Sequence, residues 1–251
     1  MNLQDYLFFL SNTQSLEDLW PEHCKQMARF GFNRLIYGCT QFRTETSLGD
    51  PDDFIILTNH QQEYIDGFLH DGLYYHAPML HWALKNEGAA SWKMISKMMA
   101  SETMTDDQRR VYDFNVRLGI TVGYTISFKS MSARSKGAIS LCSHENMTQD
   151  QADEVWAEHG TDIHLMNNIA HLKILSLPYT PPKRMLTKRQ REALEWVGDG
   201  KTAQDIGVLM GLTSATVEKH LRLAREALSV ETTAQAVMKA AMQNQMFLME
   251  A

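Results

Sequence analysis

The chain has 251 residues, of which 44% are apolar, and a formal net charge of −6. This length suits one large domain or two ordinary ones, and the apolar fraction is too high for an intrinsically disordered chain. Three widely spaced cysteines without a C-x-x-C pair form neither a disulfide framework nor a zinc module, which is typical of a reducing compartment. No apolar run approaches the roughly 20 residues of a membrane span, and residues 1–10 lack a basic leading segment. We therefore expect a soluble cytoplasmic protein without a signal peptide.

The region before residue 176 mixes helical and strand patterns. Helical spacing of apolar residues, or a capping box, predicts helices over 3–10, 15–30, 61–69, 78–85, 105–119 and 148–175. Strand composition and alternation predict strands over 32–40, 54–57, 122–129 and 136–143, the last two forming a hairpin through the loop 130–135. The predicted fold class is α+β, with an α/β/α sandwich in which helices cover both faces of an antiparallel sheet.

A proline-rich stretch divides the chain. Three of its six prolines fall between Ser176 and Lys183, which predicts a stiff, extended linker. The predicted organisation is therefore a sensing domain over 1–175, a linker over 176–183 and an all-α domain over 184–251. In the last part we expect four helices, the first two opened by capping boxes at Thr187 and Thr202 and the others covering 214–228 and 232–245.

Charge is distributed unevenly between these parts. From Lys183 onward ten Lys/Arg oppose eight Asp/Glu, a net +2. Residues 1–182 hold the other 14 basic and 22 acidic side chains, a net −8, and the two values add to −6. An acidic body with a mildly basic tail indicates that the tail is the part that approaches a polyanion.

The second and third predicted tail helices form a helix-turn-helix, the arrangement that lays its second helix in the DNA major groove. The turn is Gly211-Leu212-Thr213, and apolar residues at 3, 4 and 7 spacing put one face of the third helix inside the domain. The residues expected to point outward are Ser214, Ala215, Glu218, Lys219, Arg222 and Arg225. Geometry alone permits an alternative, a helical hairpin whose basic face is merely solvated.

A longer pattern in the tail favours DNA binding. It is Leu186-Thr187-x-Arg189-x-x-Glu192-x-Leu194-x-Trp196 … Gly200-Lys201 … Ile206 … Gly211-Leu212-Thr213 … Thr216-Val217-x-x-His220-Leu221 … Leu228-x-Val230 … Gln235-Ala236-Val237. This pattern resembles the DNA-binding domain of the LuxR family of transcription regulators, and it departs from that family at Ser229 and Thr233, where Gly and Arg are common. The residues predicted to contact DNA are Lys201, Thr202, Ser214, Thr216, Glu218, Lys219 and Arg222.

Two kinds of sensor commonly precede such a tail. A phosphoryl-accepting receiver needs an Asp at the carboxyl end of a buried strand, with further acidic residues that hold Mg²⁺. Asp52 and Asp53 instead precede the short apolar run 54–57, and no βαβ rhythm is present. The sequence therefore does not favour a receiver.

The other sensor is the autoinducer-binding domain of quorum-sensing LuxR regulators, which bind acyl-homoserine lactones. The stretch Asn59-His60-x-x-x-Tyr64-x-x-x-Phe68 … Ala77-Pro78 … Trp92 … Gly119-Ile-Thr-Val-Gly123 resembles the pocket region of that domain. The resemblance implies a ligand site lined by His60, Tyr64, Phe68, Tyr75, Ala77 and Trp92. Three polar positions differ: His60 stands where the family often has Tyr, Tyr64 replaces a Trp that donates to the lactone carbonyl, and Ala77 replaces an Asp that accepts from the ligand amide.

Ala77 has the largest chemical consequence. A buried ligand N–H without an acceptor costs about 1–3 kcal/mol, or roughly 5- to 150-fold in affinity. Simple acyl-homoserine lactones are therefore expected to bind weakly or not at all. His60 or His76 is a candidate replacement acceptor, and each is equally a candidate for a solvated loop residue.

Catalytic and metal-binding patterns are missing from the sequence. The spacings of His60, His70, His76 and His81 place no neighbouring pair on one helical face, so we expect no metal site. No nucleophile elbow, P-loop or dinucleotide fingerprint occurs, so we expect neither an enzyme nor a cofactor.

The hypothesis from sequence is a dimeric, ligand-responsive DNA-binding transcription regulator of the LuxR quorum-sensing type. Its ligand would be an acyl-homoserine lactone or a related small molecule. The predicted dimer surfaces are the helix 148–175 and the last helix, with Val230, Val237 and Ala241. Two alternatives remain open: a ligand-independent regulator, and a partner that sequesters a related regulator in inactive heterodimers.

Overall fold

The computed structural model describes residues 1–144, 146–179 and 181–248. It contains two compact units, one formed by Met1–Gly49 with Phe54–Ile174, the other by Asp50–Asp53 with the chain from Leu175 onward. Each unit is described separately below.

The first unit combines helices with one antiparallel sheet. Its helices are α1 (Leu3–Asn12), α2 (Leu16–Ala28), α3 (Gln62–Ile65), α4 (Pro78–Lys85), α5 (Lys93–Ala100), α6 (Asp106–Arg117) and α7 (Gln149–Ser176), the last continuing into the second unit. Its strands are β1 (Phe32–Thr40), β2 (Ile55–Thr58), β3 (Gly88–Ser91), β4 (Gly123–Ser127) and β5 (Lys136–Ser143), in the spatial order β2-β1-β5-β4-β3. Every strand pair is antiparallel, which confirms the predicted sheet type.

Strand alternation gives the sheet two different faces. On one face Tyr37 and Phe128 contact His171 of α7, and Tyr124 stacks on Trp156 of the same helix. The opposite face carries Ile36 and Cys142, which belong to or pack on a cluster formed with the helices between β2 and β4. Helices therefore cover both faces of the sheet, as predicted.

Two elements of the first unit were not predicted, β3 and α5. The β3 sequence is Gly-Ala-Ala-Ser, without the β-branched or aromatic residues that indicate strands. Helix α5 begins after Trp92, whose side chain makes no cap hydrogen bond, so it lacks a sequence signal for its start.

The predicted helix 61–69 is also divided. It is an α-helical turn, α3, followed by a π-helical turn over Asp66–His70. A Cβ at Gly67 would lie 2.5 Å from the Phe114 ring, so glycine at this position permits the close approach of α6. The π-helical turn therefore lies where Gly67 packs against Phe114, a contact that the spacing of apolar residues did not indicate.

The second unit is helical apart from its connecting turns. Its helices are α8 (Lys188–Gly198), α9 (Ala203–Met210), α10 (Ser214–Leu228) and α11 (Thr233–Met242), and short 3₁₀ turns lie at Pro51–Asp53 and Pro182–Arg184. The predicted capping boxes at Thr187 and Thr202 are both present. The last helix ends at Met242, three residues before the predicted end.

None of the helices over the described ranges is both long enough and apolar enough to cross a membrane.

Candidate nucleic-acid interface and ligand pocket

Helices α9 and α10 form the predicted helix-turn-helix. Gly211 ends α9 with φ = +66°, a left-handed conformation that glycine adopts without a Cβ penalty. Thr213 then caps α10, because its side chain accepts a hydrogen bond from the N–H of Thr216. The inner face of α10 is the predicted one and consists of Val217, Leu221, Ala224 and Leu228, all buried. The sequence thus fixes which face of α10 remains outside.

The outer face of α10 is exposed and carries both donors and acceptors. Ser214, Glu218, Lys219 and Arg222 are exposed on it, and Lys201 and Thr202 are exposed at the start of α9. Arg222 pairs with Glu226 one turn further on. The major groove of DNA admits an α-helix, so the donors and acceptors on this face are suited to contacts with base edges and phosphates.

Two of the predicted DNA-contacting threonines also take part in helix capping, Thr202 as the N-cap of α9 and Thr216 as the partner of the N-cap Thr213. Thr216 is half-buried, and its hydroxyl lies 2.9 Å from that of Thr213. The Thr202 hydroxyl donates to Asp205 at 2.7 Å, and this bond is the main cause that lowers the pKa of that carboxyl. Both threonines therefore have a structural role beside any contact with DNA.

Arg225 does not point freely outward as predicted. Its guanidinium donates to the Thr233 hydroxyl at 2.8 Å, and the residue is half-buried between α10 and α11. Thr233 is one of the two departures from the LuxR pattern, so its role here is to accept a hydrogen bond from Arg225 rather than to supply a second cation.

The predicted dimer surface on α11 is only partly exposed in the single chain. Val230 and Val237 are half-buried and pack against the core of the second unit, because the end of α10 and α11 close over that core. Ala241 is exposed as expected, and the large apolar side chains that α11 exposes are Met238 and Met242. On α7, Leu165 and Leu172 are exposed seven residues apart, hence on one helical face.

The first unit holds an aromatic cluster at the predicted ligand site. Tyr64 is buried at its centre and stacks on His60, with ring centroids 4.2 Å apart, and on Phe68, at 4.9 Å. Trp92 and Phe114 belong to the same cluster. The sequence-predicted residues His60, Tyr64, Phe68 and Trp92 therefore come together.

His60 is buried, not a solvated loop residue. Burial, together with the nearby positive charge of Arg34, lowers its pKa to about 4. Its imidazole is therefore neutral at physiological pH and carries one hydrogen-bond acceptor nitrogen. By contrast, His76 is exposed and lies 3.7 Å from an Asp107 carboxylate oxygen, outside the cluster.

Tyr75 and Ala77, which were also predicted to line the ligand site, lie outside the aromatic cluster. Tyr75 is 46% exposed and stacks on Tyr74, so the structure does not bring it into the cluster. Ala77 is buried at the N-cap of α4, where it provides no side-chain hydrogen bond, and Pro78 follows at the first helical position. A residue with a carboxylate or hydroxyl at 77 would be placed to cap α4.

A polar chain beside the cluster was not predicted from sequence. The Trp92 indole N–H donates to the Thr125 hydroxyl at 2.9 Å, which lies 3.0 Å from the Ser140 hydroxyl. Thr125 and Ser140 are register partners of β4 and β5, on the sheet face that the cluster covers. Only the pairing register juxtaposes them, and sequence alternation alone does not give that register.

The described part of the chain contains no group of three or more His, Cys, Asp or Glu side chains arranged to hold a metal ion. Its three cysteines are free and buried.

The fold and both sites define a class of protein, and comparison with known proteins agrees. Residues 15–174 match the autoinducer binding domain family, and residues 184–228 match the sigma-70 region 4 family. The chain therefore belongs to the autoinducer-binding-domain family, in the LuxR-type combination with a helix-turn-helix.

Related proteins named as transcriptional activators cover most of the chain. ExpR of Dickeya dadantii is 23% identical over 186 residues, 68% of this chain and 70% of that protein. LuxR of Aliivibrio fischeri is 20% identical over 191 residues, 75% of this chain and 73% of that protein.

Solved structures show the same fold. A crystal structure of Escherichia coli SdiA is similar with a TM-score of 0.53 at 15% identity, covering 98% of each chain. A crystal structure of CepR2 from Burkholderia cenocepacia, described as an N-acylhomoserine lactone dependent LuxR family factor, is similar with a TM-score of 0.54 at 17% identity, covering 69% of this chain and 94% of that one.

Proposed function

We propose that this protein is a ligand-responsive, DNA-binding transcriptional activator that acts in the cytoplasm as a homodimer. Residues 1–175 would sense the ligand, 184–251 would bind DNA, and 176–183 would join them. The observation that carries this proposal is the exposed outer face of α10, held by a closed apolar core on its other side.

DNA recognition would use the outer face of α10 and the start of α9. Lys219 and Arg222 are exposed one turn apart on α10, and Lys201 precedes α9. Arginine and lysine at such positions donate to guanine edges or phosphates, while Glu218 can accept from cytosine. The caps at Thr202 and Thr213 hold the helix starts that approach the backbone of the duplex.

The ligand would be neutral and partly apolar. The cluster offers aromatic faces, a neutral His60 and the hydroxyl pair Thr125–Ser140. These groups suit an acyl-homoserine lactone or a related small molecule, but Ala77 provides no side-chain acceptor for the amide N–H of such a ligand. A cationic ligand is disfavoured because the positive charge of Arg34 lies near His60 and Tyr64 of the cluster.

A ligand-independent regulator is the second candidate. The stacking of Tyr64 against His60, Phe68 and Phe114 gives the cluster a filled apolar interior of its own side chains. Such packing can stabilise the first unit without a bound molecule, so this observation favours a constitutive DNA binder.

One pair of measurements tests the proposal. Native mass spectrometry of freshly purified protein is expected to show a dimer with a co-purifying small molecule. Selection from a random-sequence DNA pool is expected to enrich a site with two related halves about one helical turn apart. If a duplex is enriched although no small molecule co-purifies and added ligand does not change DNA binding, the ligand-independent candidate is supported. Failure to enrich any duplex would favour a sequestering partner.

A further inference from the structure

A four-residue segment from elsewhere in the sequence belongs to the second unit. Asp50–Asp53 lies between β1 and β2 in the chain but forms part of the compact unit that contains α8 to α11. Its Asp53 carboxylate is buried there, with only 4% of the side chain exposed. A buried carboxylate is tolerated when cations and donors compensate its charge.

Two buried cations provide that compensation. Lys239 of α11 places Nζ 2.7 Å from one Asp53 carboxylate oxygen, and Arg184 places Nε 3.1 Å from the other. Each cation is only 8% exposed. Arg184 also pairs with Asp50 and, at 3.9 Å, with Asp52, so its guanidinium contacts three carboxylates of the same segment.

Lys239 has a second function within this network. Its Nζ also donates to the carbonyl of Leu228, the last residue of α10, at 2.7 Å. The last carbonyls of a helix have no partner within the helix, and a cation there is favoured by the helix dipole. One ammonium group therefore joins the C-terminal end of α10 to the Asp53 carboxylate.

We propose that Asp53 is a positioning residue for DNA recognition, acting through Lys239 on the C-terminal end of α10. The carboxylate fixes the ammonium group, and the ammonium group fixes the Leu228 carbonyl. Without the carboxylate, the buried Lys239 ammonium group loses the anion that it contacts at 2.7 Å, and its hold on the Leu228 carbonyl at the end of α10 weakens. This inference rests on the proposed DNA-binding function of α10.

The test uses the full chain, three single variants and one double variant, which combines Asp53→Asn with Lys239→Met. Asp53→Asn removes the charge and keeps the shape, Lys239→Met removes the ammonium group, and Asp52→Asn is the control. Asp52 is a matched control because it lies in the same segment and pairs with the exposed Lys183 at 2.9 Å, while it is 3.9 Å from Arg184 and is not the carboxylate that contacts Lys239. The probes are a duplex selected by the natural protein from a random pool and a scrambled duplex of equal composition.

We expect Asp53→Asn to weaken binding to the selected duplex about 10-fold or more, and to weaken binding to the scrambled duplex much less. Asp52→Asn should stay within about twofold of the natural protein on both. In the Lys239→Met background, Asp53→Asn should add little, since the two residues act through one contact. Equal losses on both duplexes would overturn the proposal because they indicate a general effect on stability. Fully additive losses in the double variant would also overturn it, because they indicate that Asp53 and Lys239 act independently.

A second measurement does not depend on DNA. Amide hydrogen exchange should rise at the C-terminal turn of α10 in Asp53→Asn but not in Asp52→Asn. If Asp53→Asn does not fold, Asp53→Glu, which keeps the charge and displaces the carboxylate by one methylene, is measured in its place. Unchanged exchange at that turn would overturn the inference. If the natural protein enriches no duplex, the proposed function fails, and the exchange result still decides whether Asp53 positions α10.

Discussion

At the scale of single residues, the set of predicted ligand-site residues differs most from its family at Ala77. The residue is the N-cap of α4 and supplies no hydrogen bond. In Ala77→Asp the carboxylate can accept from the first N–H groups of α4 and from a ligand amide. A charge-assisted bond of this kind predicts a gain in acyl-homoserine lactone affinity of roughly 10- to 100-fold, measured by calorimetric titration over a series of chain lengths.

The control for this substitution is Ala77→Ser, which can cap α4 without adding a charge. As an N-cap, this serine should raise the free energy of unfolding, and it should leave the ligand affinity largely unchanged. If the natural protein binds these lactones tightly and Ala77→Asp weakens binding, His60 or a backbone carbonyl is already the acceptor, and our interpretation of position 77 is wrong.

Lys219 is the residue of α10 whose role can be assigned most directly. If it donates to a base, Lys219→Ala should cost about 1–3 kcal/mol on the selected duplex and relax preference at one base position. If it meets only phosphate, every duplex should lose affinity similarly, and the salt dependence should fall by about one unit. Lys97→Ala, an exposed lysine on α5, is the control. Binding that Lys219→Ala leaves intact on all DNA would remove Lys219 from the interface.

At the scale of elements, α7 is fixed by buried histidines. His171 of α7 lies 2.8 Å from the Tyr37 hydroxyl, and His23 of α2 lies 3.1 Å from the Asn167 amide oxygen of α7. Burial lowers the pKa of each imidazole from 6.5 to about 4. Between pH 6.5 and about 4, both rings are therefore mainly neutral in the folded protein but mainly protonated in the unfolded chain.

This difference predicts that acid destabilises the first unit. The folded pKa is below the unfolded value, so the stabilisation is complete above pH 6.5 and is lost as the pH falls toward 4, by at most about 3 kcal/mol for each histidine. Urea unfolding at a series of pH values measures the slope. His171→Gln, which keeps a hydrogen-bonding side chain but cannot titrate, should flatten it. An unchanged slope in that variant would contradict a role for His171.

Helix α7 also carries the surface that we expect in the dimer. Leu172 is 61% exposed on it. Leu172→Asp should place a charge in the interface and shift the protein from dimer to monomer, as measured by light scattering. Met131→Asp, at a loop methionine that is 97% exposed, should leave the dimer intact. A dimer that survives Leu172→Asp would exclude this face of α7.

At the scale of the whole molecule, periodic patterns predicted most elements but not the contacts between distant ones. The 3-4-7 spacing of α10 gave both its inner face and its exposed residues, because a helix repeats over adjacent turns. Asp53 could not be assigned in this way, since its cationic partners lie more than a hundred residues away in sequence. The Thr125–Ser140 pair likewise depends on strand register. The exposure of Tyr75 depends on the 3₁₀ turn Leu73–His76, which apolar spacing did not predict.

The central claim is that a small molecule controls DNA binding by this protein. It is tested most directly by titrating the natural protein onto a fluorescently labelled, selected duplex, with and without acyl-homoserine lactones of increasing chain length or a lipid extract of the expression host. We predict dimeric binding to a site with two halves, and a ligand-dependent change in affinity of about 5- to 150-fold for at least one of these additions. Identical affinity under all conditions, or no binding under any, would contradict the claim.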